Sequence, residues 1–465
     1  MFPSRIPNHR LSERRHARPL LESLEDRKLL YATLGASFDF GSRITYSFVP
    51  DGTSIGGAPS ALFQAMANRG FSTSQWETAV SKAASLWEAA ANVNLVQVSD
   101  DGSSFGAKGN QQGDSRFGDV RIGGTALSSS VLASCFLPPP INGGTLAGDI
   151  VINTSQSWQI NSDYDLQTVA IHEFGHALGL DHSSVSTADM FANYSGQKQT
   201  ITADDASGIQ AVYGARQPDQ YDAGSGNNTS LTATNITSQV NANAQAAIPS
   251  LDITSASDSD WFVVTAPSNA SGTLTVTMQS SNLSSLSPKL LLYSGGLQGI
   301  ASASAANTFG ATVTTTTSGV TPGQRFFIKC LAANGGATGI GGYGLLVNFA
   351  TASMSPISPP NTIVASQPDQ GGGSSNDSTL AGTTVEIGSL SGDGDNLSID
   401  ARFQEAIDLV DAGHVRPGTF ISPLETILVD FLAAIGHAAP NTTNGHAIRT
   451  AAIQAIDSVL AHWGN

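Results

Sequence analysis

The chain has 465 residues, too many for one ordinary core, so two or three domains are expected. A net charge of -16 with 12% charged residues excludes the basic patches that nucleic acid demands, and no apolar run reaches the ~20 residues of a transmembrane helix. Two cysteines, Cys135 and Cys330, cannot build a disulfide framework; they read as buried small hydrophobes, with a bridge between them left open.

Residues 1–28 carry seven Lys or Arg against four acids, but the 7–15-residue apolar stretch of an ordinary secretory signal does not follow. In its place stands LESLEDRKLL over residues 21–30. This segment resembles a short N-terminal sorting motif of large bacterial extracellular proteins, of the form LExLEDRxLL, so residues 1–33 are expected to direct export and the mature protein to be secreted.

Residues 34–216 read as a mixed α+β domain. Arg43 to Val49 alternates β-branched and aromatic residues as a strand does. Ser74 and Glu77 have the spacing of a capping box, and Trp76, Val80, Ala83, Trp87 and Ala90 follow at helical spacing. Strands are expected over 95–98, 119–122 and 146–152, and a second helix from near Asp165 carrying Leu166, Val169, Ala170 and Phe174. Residues 217–240, rich in Asn, Ser, Thr and Gly, read as a flexible junction. Over 241–350 only strand signals remain, at 261–264, 274–278, 289–293, 325–329 and 343–347, spaced by turn residues as in a small all-β sandwich, so the second domain is assigned 217–350. Residues 351–399 look like a Pro-, Gly- and Ser-rich linker, and 400–465 like a short helical tail without an evident role.

The chemistry lies in HEFGHALGLDH, residues 172–182. His172 and His176, four residues apart on a helix, leave the same face one turn apart. They can offer two nitrogens to one zinc, and Glu173 lies beside the first without taking a coordination position. Gly179 lets the chain leave the helix and return His182 as a third ligand. Three protein ligands with a fourth position left for water mark a catalytic site rather than a structural one. With nine His in the whole chain, so complete a pattern is a rare draw.

These residues, with the flanking Tyr164 to Ser183, resemble the metzincin superfamily and its matrixin branch most of all. The resemblance implies a twisted mixed sheet with helices, one catalytic Zn2+ held by His172, His176 and His182, and Glu173 as general base and then acid. It also implies a methionine turn under the metal at Met190, and it extends over about residues 40–215. The family's second, structural zinc would need histidines where Ser134, in a turn, and Val151 stand, so no structural zinc is expected. Asn153 and Gln156 replace acidic Ca2+ ligands, which leaves calcium allowed but weakened by two lost charges. Prolines common around the family's methionine turn are missing, and no cysteine precedes residue 135 to cap the zinc from a pro-segment.

The second domain resembles the bacterial pre-peptidase C-terminal domain through DSDWF at 258–262, LLLY at 290–293 and GYGLLV at 342–347. The expected function is that of a secreted, zinc-dependent endopeptidase acting on protein or peptide substrates, with no nucleic-acid partner. The alternative is an extracellular binding or adhesion protein whose metal domain is silent or only self-processing. Oligomeric state, natural substrate and trigger of activation are not encoded legibly.

Overall fold

The computed structural model of the protein describes residues 31–222, 226–335, 339–360 and 384–388. The sorting motif at 21–30 and the tail at 400–465 lie outside the described residues. Two large hydrophobic clusters divide the chain. One is filled from Phe38 to Ile209 together with Ile387, the other from Ile236 to Phe349.

The first unit opens with β1 (Ala32–Thr33) and β2 (Ile44–Phe48), followed by a small hairpin of β3 (Ser54–Ile55) and β4 (Ala58–Pro59). Helices α1 (Leu62–Asn68) and α2 (Thr73–Ala90) come next, then β5 (Leu95–Gln97), β6 (Val120–Thr125), β7 (Val131–Phe136) and β8 (Ile150–Asn153). Helix α3 (Leu166–Ala177), β9 (Leu180–Asp181) and α4 (Ala203–Tyr213) complete it. All five residues of β2 are buried, including Thr45 and Ser47, as befits an interior strand of a sheet covered on both faces. β5, β2, β6 and β8 run parallel, and β7 adds antiparallel beside β8. Helices α2 and α3 pack together, and the indole of Trp87 on α2 donates to the Ile171 carbonyl of α3 at 2.8 Å.

Three local expectations change. The capping box of α2 is formed by Ser72 and Gln75, two residues before the expected pair, with the Gln75 side chain accepting from Ser72 N–H at 2.9 Å. Starting there puts Phe71 and Trp76 at the staple positions of the helix entrance, so the core selects the earlier of two similar caps; such a cap contributes about 1 kcal/mol. The strand expected over 146–152 spans only Ile150–Asn153, because Gly144–Leu146 closes a 3-10 turn first. Ser134 lies on β7, not in a turn, directly opposite Val151 on β8.

The second unit contains β10 (Thr234–Asn235), β11 (Gln245–Ile253), β12 (Asp260–Thr265), β13 (Thr273–Gln279), β14 (Pro288–Ser294), β15 (Gly299–Ser304), β16 (Thr312–Ser318), β17 (Arg325–Ala332) and β18 (Gly341–Asn348). They form two sheets, ordered β10-β12-β17-β14-β15 and β11-β18-β13-β16, whose buried faces share the second cluster. Within the stretch read as a linker, β19 (Thr384–Gly388) pairs antiparallel with β7, Ile387 opposite Ala133, and buries Ile387 in the first cluster. Cys135 and Cys330 are free and buried in separate clusters. No helix among the described residues is long and apolar enough to cross a membrane.

Polar contacts fasten the two units to each other just before the junction segment. Arg216 donates to the Glu88 and Val93 carbonyls, each at 2.9 Å, and to Asn94 Oδ1, while its Nε reaches Asp252 Oδ1 of β11 at 2.8 Å. Beside it the buried Glu88 carboxylate accepts from the backbone N–H of Ser285, at 3.0 Å, and from its hydroxyl. Burial pushes Glu88 up to about 8, against the opposing pull of Arg216 and the Ser285 hydrogen bonds.

A carboxyl raised in the folded state binds its proton more tightly there than in the unfolded chain. Its contribution is therefore fully present below the ordinary glutamate range and is lost as pH rises towards about 8. Glu88→Gln removes this titration, so the fall in melting temperature between pH 5 and pH 9 should be shallower than in the parent chain. Parallel curves from scanning calorimetry would remove Glu88 from the pH response.

Candidate metal centre

The Asp165 side chain starts α3 by accepting from Thr168 N–H at 2.9 Å. Every residue of the helix is buried, so its histidines project into protein rather than water. His172 Nδ1 lies 2.8 Å from the Asp189 carbonyl, and His176 Nδ1 lies 2.8 Å from the Leu180 carbonyl. A carbonyl only accepts, so each Nδ1 carries the proton. Burial, first of all, holds both rings well below the ordinary histidine range and hence neutral; neighbouring imidazoles add to the effect. Each Nε2 is then a lone pair, and the two lie 2.9 Å apart.

Two lone pairs at that distance repel, and no hydrogen bond can form between them in this tautomer. A cation between them resolves the conflict, with the backbone carbonyls acting as the outer partners that fix ring orientation. His182 joins the pair: one ligand atom from each of the three histidines falls within 4.8 Å of the others. Three imidazole nitrogens suit zinc, so the triad fits a zinc site.

The turn that delivers His182 depends on Gly179, whose φ is +103°. A Cβ there would stand 2.1 Å from the Ala36 carbonyl oxygen. The segment it meets also runs into β1, which pairs with β9 just before His182. Met190 lies beneath the helix: a Cβ on Gly175, between the two ligand turns, would meet its sulfur at 2.2 Å. The Met190 carbonyl accepts from Ser183 N–H at 2.7 Å, tying this turn to the residue after His182.

Asp205 was not singled out from the sequence. Its carboxylate, 1% exposed, accepts from Asp189 N–H at 2.7 Å and Met190 N–H at 3.1 Å. It thereby fixes the backbone whose carbonyl orients His172. Thr202 to Asp205 has the look of a helix start, which hid the second task, since the two N–H groups lie fifteen and sixteen residues upstream. Asp189 itself is pushed up to about 8 by burial and by the Asp205 charge.

Glu173 is fully buried, and burial first of all, then the charges of Glu173 and Asp149, raises the Cys135 thiol of β7. Asn153 and Gln156 have their amides engaged with backbone. Asn153 Oδ1 accepts from Leu127 and Ser155 N–H, and its nitrogen donates to Ser128 and Val131; Gln156 donates to Ser129 and Val131. The Val151 side chain has no donor atom for a metal.

Gly179→Ala forces an L side chain into the left-handed region against a backbone oxygen. We expect a loss of about 1–3 kcal/mol from backbone strain alone, read by chemical denaturation, with weaker zinc retention on dialysis. An unchanged denaturation midpoint would show that Ala36 yields freely and that the glycine is not required.

Comparison with known proteins gives this geometry its relatives. Residues 62–214 match the family model for matrixin. Karilysin of Tannerella forsythia is 35% identical over 143 residues, which are 30% of this chain and 29% of that protein. An interstitial collagenase of Equus caballus is 35% identical over 148 residues, 30% of this chain and 29% of the relative. Matrix metalloproteinase-27 of Homo sapiens is 42% identical over 88 residues, covering 18% and 16%. The chain thus spans less than a third of the length of these relatives. With the matched region enclosing all three histidines, the buried Glu173 and Met190, residues 62–214 are a matrixin domain.

Proposed function

We propose that this chain is a secreted zinc-dependent endopeptidase in which His172, His176 and His182 hold the metal and Glu173 is the general base. The observation that carries the reading is the pair of neutral imidazoles whose lone pairs face each other at 2.9 Å beside a buried glutamate. When bound, zinc supplies a Lewis acid that polarises the scissile carbonyl and makes water a nucleophile near neutral pH. Glu173 takes the proton of the attacking water and returns it to the leaving amine. Met190 supports the floor of the site, and the Asp189 and Leu180 carbonyls hold the rings in one tautomer. Export rests on the resemblance of residues 21–30 to a sorting motif. The unit of residues 217–350 is read as the pre-peptidase C-terminal-like sandwich.

β7 is the docking edge for an extended peptide. It flanks α3, and its outer side offers main-chain groups to an added strand, the usual mode of peptide capture by a sheet. That edge is taken by β19 of the same chain, antiparallel and anchored by Ile387. A substrate strand therefore has to displace residues 384–388.

Glu173→Gln should keep one zinc per chain and the melting temperature of the parent, yet lose ~10²–10⁴-fold in peptide turnover. Metal analysis beside a casein or quenched-peptide assay decides it, and retention of more than about half the activity would sink the assignment. A chain ending at residue 360 should show a lower KM for a short peptide with kcat little changed. An unchanged KM would mean that the β7 edge is not where peptides bind.

A further inference from the structure

Charge in the second unit is sorted by place. Residues 217–350 hold five acids, all between Asp219 and Asp260, and three bases, Lys289, Arg325 and Lys329. In the sheet β10-β12-β17-β14-β15, Phe262, Leu290, Leu292, Phe326 and Ile328 point into the second cluster. Strand alternation turns the residues between them outward, so the three bases share one face. Register sets Trp261 beside Lys329 and Lys329 beside Leu291, and one step along it sets Phe327 beside Tyr293. Trp261, Tyr293, Leu291 and both lysines are partly exposed, and Arg325 is exposed. The one acid on β12, β14 and β17, Asp260, is buried on the opposite side against the Tyr343 hydroxyl.

The side chains of this face already stand in an order. The Trp261 and Tyr293 rings lean together across β17, with centroids 5.2 Å apart and planes 24° from parallel. Lys329 Nζ lies 5.3 Å from the Trp261 centroid, and the Arg325 guanidinium lies 4.9 Å from that of Phe327. Along β17 cation, ring and cation follow at two-residue steps, which puts Arg325 and Lys329 about 14 Å apart. None of the three cations has an ion-pair partner among the described residues.

We propose that this face binds an acidic polysaccharide, with sugar rings against Trp261 and Tyr293 and carboxylates on Lys289, Arg325 and Lys329. The C–H groups on the face of a sugar ring suit the negative face of an aromatic ring. Carboxylates project from the edge of the sugar towards the flanking cations, where a guanidinium can hold both oxygens. A straight row on a strand face suits an extended polymer. A folded protein partner fits less well, because partly exposed rings offer far less than the ~800 Å² that each side of a standard complex contributes. A bilayer fits less well for a geometric reason. The exposed Leu297 and Ile300 lie on the β14-β15 hairpin, whose Gly295 packs against Arg325, so insertion there leaves Lys289 and Lys329 at the far end. Bound in this way, the chain would be moored among acidic glycans and held near proteins embedded in them. That role rests on the peptidase reading, whereas the binding does not.

Affinity electrophoresis of the full zinc-loaded chain in gels carrying polygalacturonate tests the face without any peptidase assay. The parent should be retarded, and less so as salt rises, since the charged contacts are screened. Arg325→Gln combined with Lys329→Gln should weaken the retardation at least about tenfold, with the melting temperature close to the parent's. Trp261→Ala should lose about as much, while Trp261→Phe, which keeps a ring, should retain most of the binding. The charge variant decides the matter even where Trp261→Ala fails to fold, since both its changes lie on side chains that reach solvent. An unretarded parent, or a charge variant retarded as strongly as the parent, would overturn the proposal. Equal retardation by polyglutamate would reduce the face to charge alone and overturn it too. Capture of the parent, but not of Leu297→Ser, by phosphatidylglycerol vesicles would replace the glycan with a bilayer.

Discussion

Two nitrogen lone pairs held 2.9 Å apart are the constraint on which the first unit is organised. Left alone, such rings would rotate away from each other or take up a proton. Both escapes are closed: the helix face fixes where the imidazoles leave the backbone, and carbonyl partners of Nδ1 fix their rotation. Burial keeps the proton off. The frame therefore holds the two lone pairs where a cation would relieve their repulsion.

That frame reaches well beyond the motif. Trp87 of α2 anchors α3 through the Ile171 carbonyl, and Asp205 of α4 anchors the turn that supplies the Asp189 carbonyl. The Met190 sulfur fills the space that the missing side chain of Gly175 leaves, and the Gly179 turn closes on the Ala36 carbonyl. Each support comes from a different stretch of chain. Tolerance to substitution should therefore be lower here than among the threonine-rich strands of the second unit, where Thr275 and Thr277 meet Thr316 and Thr314 at the surface.

Buried polar contacts join the two units. Arg216 and the buried Glu88 do for the junction what the carbonyls do for the histidines: they satisfy polar groups taken out of water, and so fix one arrangement. A contact of that kind is specific because a shifted domain would leave Glu88 buried without its Ser285 partner, a costly alternative.

The sequence by itself determined the centre. Four-residue spacing on a helix, a glycine able to leave it and a third histidine just beyond are local facts, so His172, His176, His182 and Glu173 could be named before any fold was known. The strands rich in β-branched and aromatic residues, such as β2 and β12, were legible for the same reason. Small-residue strands such as β15 and β16 were not, because alanine, serine and threonine carry too little contrast to mark a face. Only the tertiary structure decided that Ser134 faces Val151, that residues 384–388 complete the sheet beside β7, and that Asp205 holds the turn beneath His172. It also decided that Lys289, Arg325 and Lys329 share one face with Trp261 and Tyr293. These are relations between residues distant along the chain or between main-chain groups, and no spacing rule encodes them; they exist only once two cores have formed and pressed the segments together.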